Sequence, residues 1–426
     1  MASQNDKSSR ACRTRAAQTR LIHEGYDPSA HSGSVKAPIY HTSTFLFNSA
    51  EEGAAFFRVN NKTALPGDPE QAGLMYSRFS TPNVDLLEKR LAILDGGEGA
   101  LAFASGMAAI ATVLMAIARA GDVILYTSPL YGGTDAFLNR VLPRQNIHMA
   151  AVPAEADEKT FHAVAEAAMA KGPVRIVYTE TPTNPHNEIV DLALCRKVAD
   201  MIGDAQGGAP IVICDNTLLG PVGQQPLKHG VDLVIYSLTK YVGGHSDLLA
   251  GAVIGRKELL DTVYGLRSLL GGVIDPHTAW LLTRSLETVT LRMKAACDGA
   301  RRVAAYLSTH PKVSRLNYPG LLDTNSHRGK LHRTQSSLDG STFSFDAGAS
   351  RADAFRFLDA LKLIKLAVSL GGTESLILHP VSTSHSNVDP ARREALGFTE
   401  AMVRLSVGLE DPDDLIDDLE QALAKV

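Results

Sequence analysis

Residues 233–251 read LVIYSLTKYVGGHSDLLAG, and the change of character inside this stretch decides how the whole chain is read. The apolar run 231–235 gives way abruptly to Ser237, Thr239 and Lys240. Such a run reads as a buried strand that delivers polar groups to the edge of a sheet. In an open α/β sheet, ligands bind in the crevice beyond the carboxyl ends of the strands, so a lysine placed there faces a pocket. A partly buried lysine amine, its pKa lowered, condenses with carbonyls to give Schiff bases. Ser237 and Thr239 add hydroxyl donors suited to a phosphate. An aldehyde and a phosphate on one small molecule describe pyridoxal phosphate; the competing reading is a lysine that merely opens a solvated loop.

The chain around this stretch has 426 residues, 45% apolar and 21% charged, which is room for two cored domains of a soluble globular protein. Its 42 basic against 46 acidic residues leave a formal charge of −4 and no electrostatic case for nucleic acid or a membrane surface. Small-molecule ligands are expected. Cys12, Cys195, Cys214 and Cys297 have neither metal-ligand spacing nor the density of a disulfide scaffold, and read as reduced thiols of a cytoplasmic protein. The longest helical apolar segment, 108–118, is too short to span a bilayer, and no secretory signal is expected. Lys7, Arg10, Arg13, Arg15 and Arg20 stand against Asp6 alone at the start. A transit peptide can look so, but the segment lacks an apolar face and reads as a disordered leader.

Upstream of the strand, 19–47 is punctuated by Gly25, Pro28, Gly33 and Pro38, which predicts an extended arm lying on another surface, such as a neighbouring subunit. A polar loop at 59–73 leads to Tyr76, Ser77 and Arg78, and a loop of that length is functional or mobile. Val84, Leu87, Leu91 and Leu94 mark a helix over 83–94. The following ALAFASGMAAIATVLMAIARAG, 100–121, predicts a short strand, a small-residue turn at Ser105 and Gly106, and a buried helix. Strand-like runs at 123–126, 147–152, 174–178, 211–214 and 231–236 alternate with helical segments at 159–170 and 192–202, which is the pattern of a mostly parallel sheet clad in helices. Past Gly272, amphipathic helices at 277–305 and 351–361 frame strands at 341–345 and 402–406, which predicts a smaller α+β unit. The expected division is an N-terminal arm and inter-subunit segment at 1–80, a large α/β domain at 81–290 and a C-terminal α+β domain at 291–426. No internal repeat or low-complexity tract interrupts it.

Four loop tips after predicted strands carry unusual polar residues, and a helix start adds a further candidate. The helix start after Ser105, at Gly106 and Met107, can hold a phosphate on its unpaired backbone amides, or is simply a tightly packed turn. Asp215 ends IVICD, where a buried carboxylate needs a partner such as a protonated pyridine nitrogen, or caps the next turn through Asn216 and Thr217. Tyr131 precedes two glycines and can stack on a cofactor ring or pack ordinarily. In TPTNP, two X-Pro steps hold Asn184 in an extended, outward-facing turn. Arg404 on MVRLSVG needs an anion, either a substrate carboxylate or a structural salt bridge. His245, His379 and His385 have no metal spacing, and no metal is expected.

With these residues in place, the order of YSR at 76–78, SGM at 105–107, YGGT at 131–134, ETPTNP at 180–185, CDNT at 214–217, SLTKYVGGHSD at 237–247, SLGGTESLILHP at 369–380 and VRLSVGLED at 403–411 resembles the Cys/Met-metabolism, or trans-sulfuration, family of pyridoxal phosphate enzymes. The resemblance runs from about residue 19 to the end. It implies a fold-type I, aspartate aminotransferase-like large domain with a mostly parallel sheet. It implies that Lys240 carries the cofactor as a Schiff base and shuttles protons, that Asp215 pairs with the pyridine nitrogen, and that Tyr131 stacks on the ring and can serve as acid or base. By the same resemblance Ser105, Gly106, Met107, Ser237 and Thr239 hold the phosphate, joined by Tyr76 and Arg78 from a neighbouring subunit. Asn184, Ser369 and Arg404 grip the substrate carboxylate. A dimer at least is implied, commonly a homotetramer of paired dimers.

The chemistry so implied is γ-elimination or γ-replacement on a sulfur-containing or acylated homoserine derivative. Within the family, members that handle cystathionine tend to carry a glutamate where this chain has Val368, and the apolar residue points to a methionine γ-lyase-like C–S lyase. Gly133 departs from the cysteine usual in bacterial methionine γ-lyases. A cystathionine γ-synthase or γ-lyase, or an acyl-homoserine sulfhydrylase, is the alternative. A non-catalytic homologue that binds the cofactor for regulation is the alternative of another class, and the presence of Lys240, Tyr131 and Asp215 speaks against it. The loop at 59–73 is expected to reshape the entrance.

Overall fold

The computed structural model describes residues 15–386 and 388–426; the readings made of Cys12 and of the basic start before Arg15 lie outside them. The large sheet is built of β1 Gly99–Phe103, β2 Val123–Ser128, β3 His148–Pro153, β4 Val174–Glu180, β5 Ile211–Asp215, β6 Leu233–Ser237 and β7 Gly251–Gly255, in the order β1-β7-β6-β5-β4-β2-β3. β2 to β6 pair in parallel, while β7 is antiparallel to both β6 and β1, so only β7 runs against the rest. Alternate residues of β6 enter separate cores: Val234 and Tyr236 on one face, Leu233 and Ile235 on the other. A strand covered by helices on both faces has no solvent side, which is why its sequence is an unbroken apolar run.

The helices begin where short polar side chains can satisfy the first free amides. Thr81 accepts from Val84 N–H at the start of Pro82–Asp95, Ser105 from Ala108 N–H at Gly106–Ile117, Asp157 from Thr160 N–H at Glu158–Met169, and Asp191 from Leu194 N–H at Leu192–Gln206. Gly96 and Gly207, both at φ +76°, end the first and last of these in the left-handed conformation that glycine adopts freely.

The second sheet holds β8 Val313–Asn317, β9 Thr342–Ala347, β10 Lys365–Leu366, β11 Leu376–Leu378 and β12 Met402–Ser406, in the order β10-β11-β12-β9-β8. Its core is separate, with Phe343, Phe345, Phe357, Leu405 and Leu415 among its fully buried members.

Three expectations need correction. The segment 277–305 is two helices, Pro276–Leu286 and Val289–Leu307. Tertiary ties break it: Arg292 donates to Ser285 O at 2.9 Å and to Tyr241 O at 2.7 Å, while Glu287 is held by Lys36 and Arg90. The arm opens with a helix, Ala17–His23, whose Leu21 is buried in the large core beside Val84, Leu87 and Leu91. The loop expected from residue 59 starts beyond Asn60, because Ala50–Asn60 is helical, and Arg58 clamps Asp68 through two hydrogen bonds of 2.9 and 2.6 Å. Among the described residues no helix is long and apolar enough to cross a membrane.

Candidate active site

The carboxyl ends of the parallel strands lie along one edge of the large sheet, and all of them but β3 hand a polar residue to it. Ser105 follows β1, Tyr131 follows β2, Glu180 ends β4, Asp215 ends β5, and Ser237, Thr239 and Lys240 come from β6. The second sheet meets this edge with Arg404 on β12 and with Val368 and Ser369 in the turn before β11. All of these line one cavity of about 470 Å³, together with Gly106, Met107, Asn184, Thr217, Leu249 and Ser384. That size suits a small-molecule site.

Lys240 Nζ donates to Ser369 Oγ at 2.9 Å. Burial, and then the charge of Arg404, push its pKa down to about 8, so the solvated-loop reading is set aside. Ser369 sits at φ +104°, a left-handed conformation that costs a residue with a side chain about 1–3 kcal/mol. There its hydroxyl faces Lys240 while its carbonyl accepts from Arg404 Nη2 at 2.9 Å. Arg404 Nη1 donates to Asn184 Oδ1 at 3.2 Å, and its Nε has no partner. The guanidinium is buried among neutral oxygens rather than held by a carboxylate, and burial lowers its pKa to about 10. A buried cation so placed favours an incoming anion over the structural salt bridge. Asn184 was expected to face outward; it is 5% exposed and turned inward, where its side chain accepts from Arg404 Nη1.

The opposite side of the cavity is acidic. Asp215 Oδ1 accepts Thr217 N–H at 3.0 Å, the capping bond anticipated for it, and its carboxyl is buried with its pKa raised by that burial. Glu180 is its register partner on the neighbouring strand. Glu180 is raised further, first by burial and then by Asp215 beside it. Its Oε2 accepts Tyr131 N–H at 2.8 Å and its Oε1 accepts Asn184 N–H at 3.1 Å. Tyr131 is 41% exposed at the start of the short helix Gly132–Ala136, and a Cβ on Gly133 would lie only 2.6 Å from its ring. The missing side chain at Gly133 is what lets the phenol ring lie there.

At the remaining end, Ser105 Oγ is committed to capping Ala108 N–H at 3.1 Å, which leaves the first-turn amides of Gly106 and Met107 toward the cavity. A Cβ on Gly106 would stand 3.0 Å from Ser237 Cβ, so this helix start abuts the end of β6. Thr239 donates its hydroxyl to Ala250 O at 3.2 Å and accepts Ala250 N–H at 3.0 Å, closing the turn that carries Lys240.

Tyr76 and Arg78 are expected to serve the phosphate of a neighbouring subunit, not that of their own chain. Tyr76 is 44% exposed and Arg78 donates to Ser268 O at 2.6 Å in the same chain; neither lines the cavity. Nor does the loop at 59–73, whose Gln71, Ala72 and Gly73 border a different groove beside Tyr264. Sequence reasoning passed over Glu180, Leu249 and Ser384, and named Thr217 only in the turn capped by Asp215; Thr217 Oγ1 accepts Ser237 N–H at 2.9 Å. For Glu180 the signal was present: the run from Val174 ends in an acid, as IVICD does.

These groups fit pyridoxal phosphate. An amine at Lys240 whose pKa is lowered to about 8 suits the aldehyde, the buried Asp215 carboxyl suits a ring cation, and the amides of Gly106 and Met107 suit an anion. The fit agrees with comparison to known proteins. The chain is 42% identical over 407 residues to the L-methionine gamma-lyase of Pseudomonas putida, covering 95% of this chain and 96% of that one. It is 38% identical to the cystathionine gamma-lyase of Bacillus subtilis (strain 168), covering 96% and 99%. The crystal structure of cystathionine gamma synthase from Xanthomonas oryzae pv. oryzae, in complex with aminoacrylate and cysteine, superposes with a TM-score of 0.85 at 32% identity over 97% of this chain and 98% of that one. The family model for Cys/Met metabolism PLP-dependent enzymes matches residues 18–424, and the chain belongs to that family of pyridoxal phosphate enzymes.

Proposed function

We propose that this enzyme is a carbon–sulfur lyase that performs γ-elimination on methionine or a close γ-thioether amino acid. When bound, the cofactor withdraws electrons from the amino-acid substrate and acidifies the hydrogen on its amino-bearing carbon and then those on the carbon beside it. Lys240 would hold the cofactor and, once free, move a proton at Nζ, for which a pKa near 8 is well matched. Asp215 would hold the protonated ring nitrogen, the ring of Tyr131 would lie against the cofactor, and Gly106, Met107, Ser237 and Thr239 with the cap at Ser105 would cradle the phosphate. Arg404, Asn184 and Ser369 would take the substrate carboxylate.

One observation carries the choice of substrate. The cavity rim is apolar, with Val368 and Leu249 64% and 68% exposed, while its two acids are buried at the sheet end. A methylthio group loses nothing there, whereas the distal ammonium of cystathionine would meet no carboxylate among the described rim residues. The 42% identity to a methionine gamma-lyase supports the same choice. Purified enzyme given methionine without a thiol acceptor is expected to release 2-oxobutanoate, ammonia and methanethiol. Turnover restricted to an acylated homoserine plus a thiol would overturn the proposal in favour of replacement.

The same reading includes a homotetramer of paired dimers working in the cytoplasm. Val35, Leu46 and Phe47 on the arm stand exposed, as segments that meet another subunit do, and Tyr76 and Arg78 are presented away from their own cavity. The described cysteines, Cys195, Cys214 and Cys297, are buried free thiols, in keeping with a reducing compartment.

A further inference from the structure

We propose that Glu180 is a positioning residue, a single buried carboxyl group that ties the ring-facing Tyr131 to the carboxylate grip at Asn184. The inference rests on the reading of the cavity given above. Glu180 is 4% exposed at the carboxyl end of β4, and its two oxygens are divided between two loops that otherwise leave different strands. Oε2 accepts the N–H of Tyr131, on the loop after β2; Oε1 accepts the N–H of Asn184, four residues beyond its own strand. From Asn184 the bonding continues to Arg404, from Arg404 to the carbonyl of Ser369, and from the hydroxyl of Ser369 to Lys240 Nζ. One hydrogen-bonded path therefore runs around the cavity, and Glu180 is its only member that touches both the tyrosine turn and the grip.

The chemistry of the group matches the task. An ionised or singly protonated carboxyl offers an acceptor on each oxygen, so it can orient two backbone donors at once. An amide of the same shape cannot: its NH₂ would face one of the two N–H donors. A shorter acid cannot span both. Side by side with Asp215, Glu180 also contributes to the field at the site expected to face the ring nitrogen, so its replacement reaches the cofactor by a second route.

The test uses the holoenzyme and the cofactor-stripped protein, with Glu180→Gln as the main variant and Glu180→Asp as a second should the first fail to fold by thermal melting. L-norleucine, which has no γ-leaving group, is the probe of the grip and is followed by the cofactor's visible spectrum. In Glu180→Gln its dissociation constant is expected to rise about tenfold, the cost of leaving one buried donor without an acceptor. In an Asn184→Ala background the same change is expected to add little, because the two residues act on one path. The dissociation constant of pyridoxal phosphate for the stripped protein is expected to rise in Glu180→Gln and not in Asn184→Ala, since only the former frees Tyr131. A norleucine constant within about twofold of wild type, or effects of the two changes that multiply, overturns the proposal. Failure of the underlying reading looks different: a Lys240→Ala protein with an unchanged cofactor spectrum.

Discussion

The amine of Lys240 lies between buried walls and the guanidinium of Arg404, and both depress its pKa, burial the more. A neutral amine is the reactive form, so in the stripped protein Lys240 should be acylated with a midpoint near pH 8 while surface lysines titrate near about 10.4. Arg404→Met removes a cation and should move the midpoint of Lys240 upward, the others staying in place; peptide mass spectrometry of the acylated protein reads both. A midpoint that does not move would mean that burial acts alone. At this scale the sequence was informative wherever a residue type was unusual for its position. Lys240, Asp215 and Arg404 each interrupt an apolar run, and all three line the cavity. Glu180 interrupts one too, but its importance lies in bonds to backbone amides of two loops, and no pattern of side chains announces those.

Among the elements, the parallel strands were legible because burial on both faces erases alternation and leaves contiguous apolar runs that end at the ligand edge. β7 was not. GAVIG is short and glycine-bounded, and follows the Lys240 turn so closely that it reads as part of it. The break at Glu287 and Thr288 was hidden because it has no proline or glycine and is set by Arg292 reaching distant carbonyls. The loop beyond Asn60 shows how local chemistry decides between mobility and order. Asp68 accepts from Arg58 and from Leu65 N–H, which hold its carboxyl down to about 2. The clamp is therefore fully set above the ordinary aspartate range and released only as pH falls through about 2. Arg58→Ala should open the loop at neutral pH, and trypsin cleavage after Lys62 should accelerate about tenfold, since proteolysis follows the population of the open form. Unchanged cleavage would show that the loop is held by something other than this pair.

For the whole molecule, the placement of Tyr76 and Arg78 away from the cavity of their own chain sets a test of shared sites. Lys240→Ala and Arg78→Ala should each be inactive alone. Co-expressed, random pairing should restore about a quarter of wild-type activity, because half of the dimers are mixed and each mixed dimer has one intact site. Activity no greater than the sum of the parents would show that each chain builds its site unaided. The cavity also lies between two separate cores, Lys240 being rooted beside one through Leu238 and Tyr241 and Arg404 beside the other through Val403 and Leu405. An amino acid seated there is a rivet through both plates. Saturating substrate analogue should then make the two halves melt as one, so that the catalytic ligand doubles as the fastener that keeps the lobes in step.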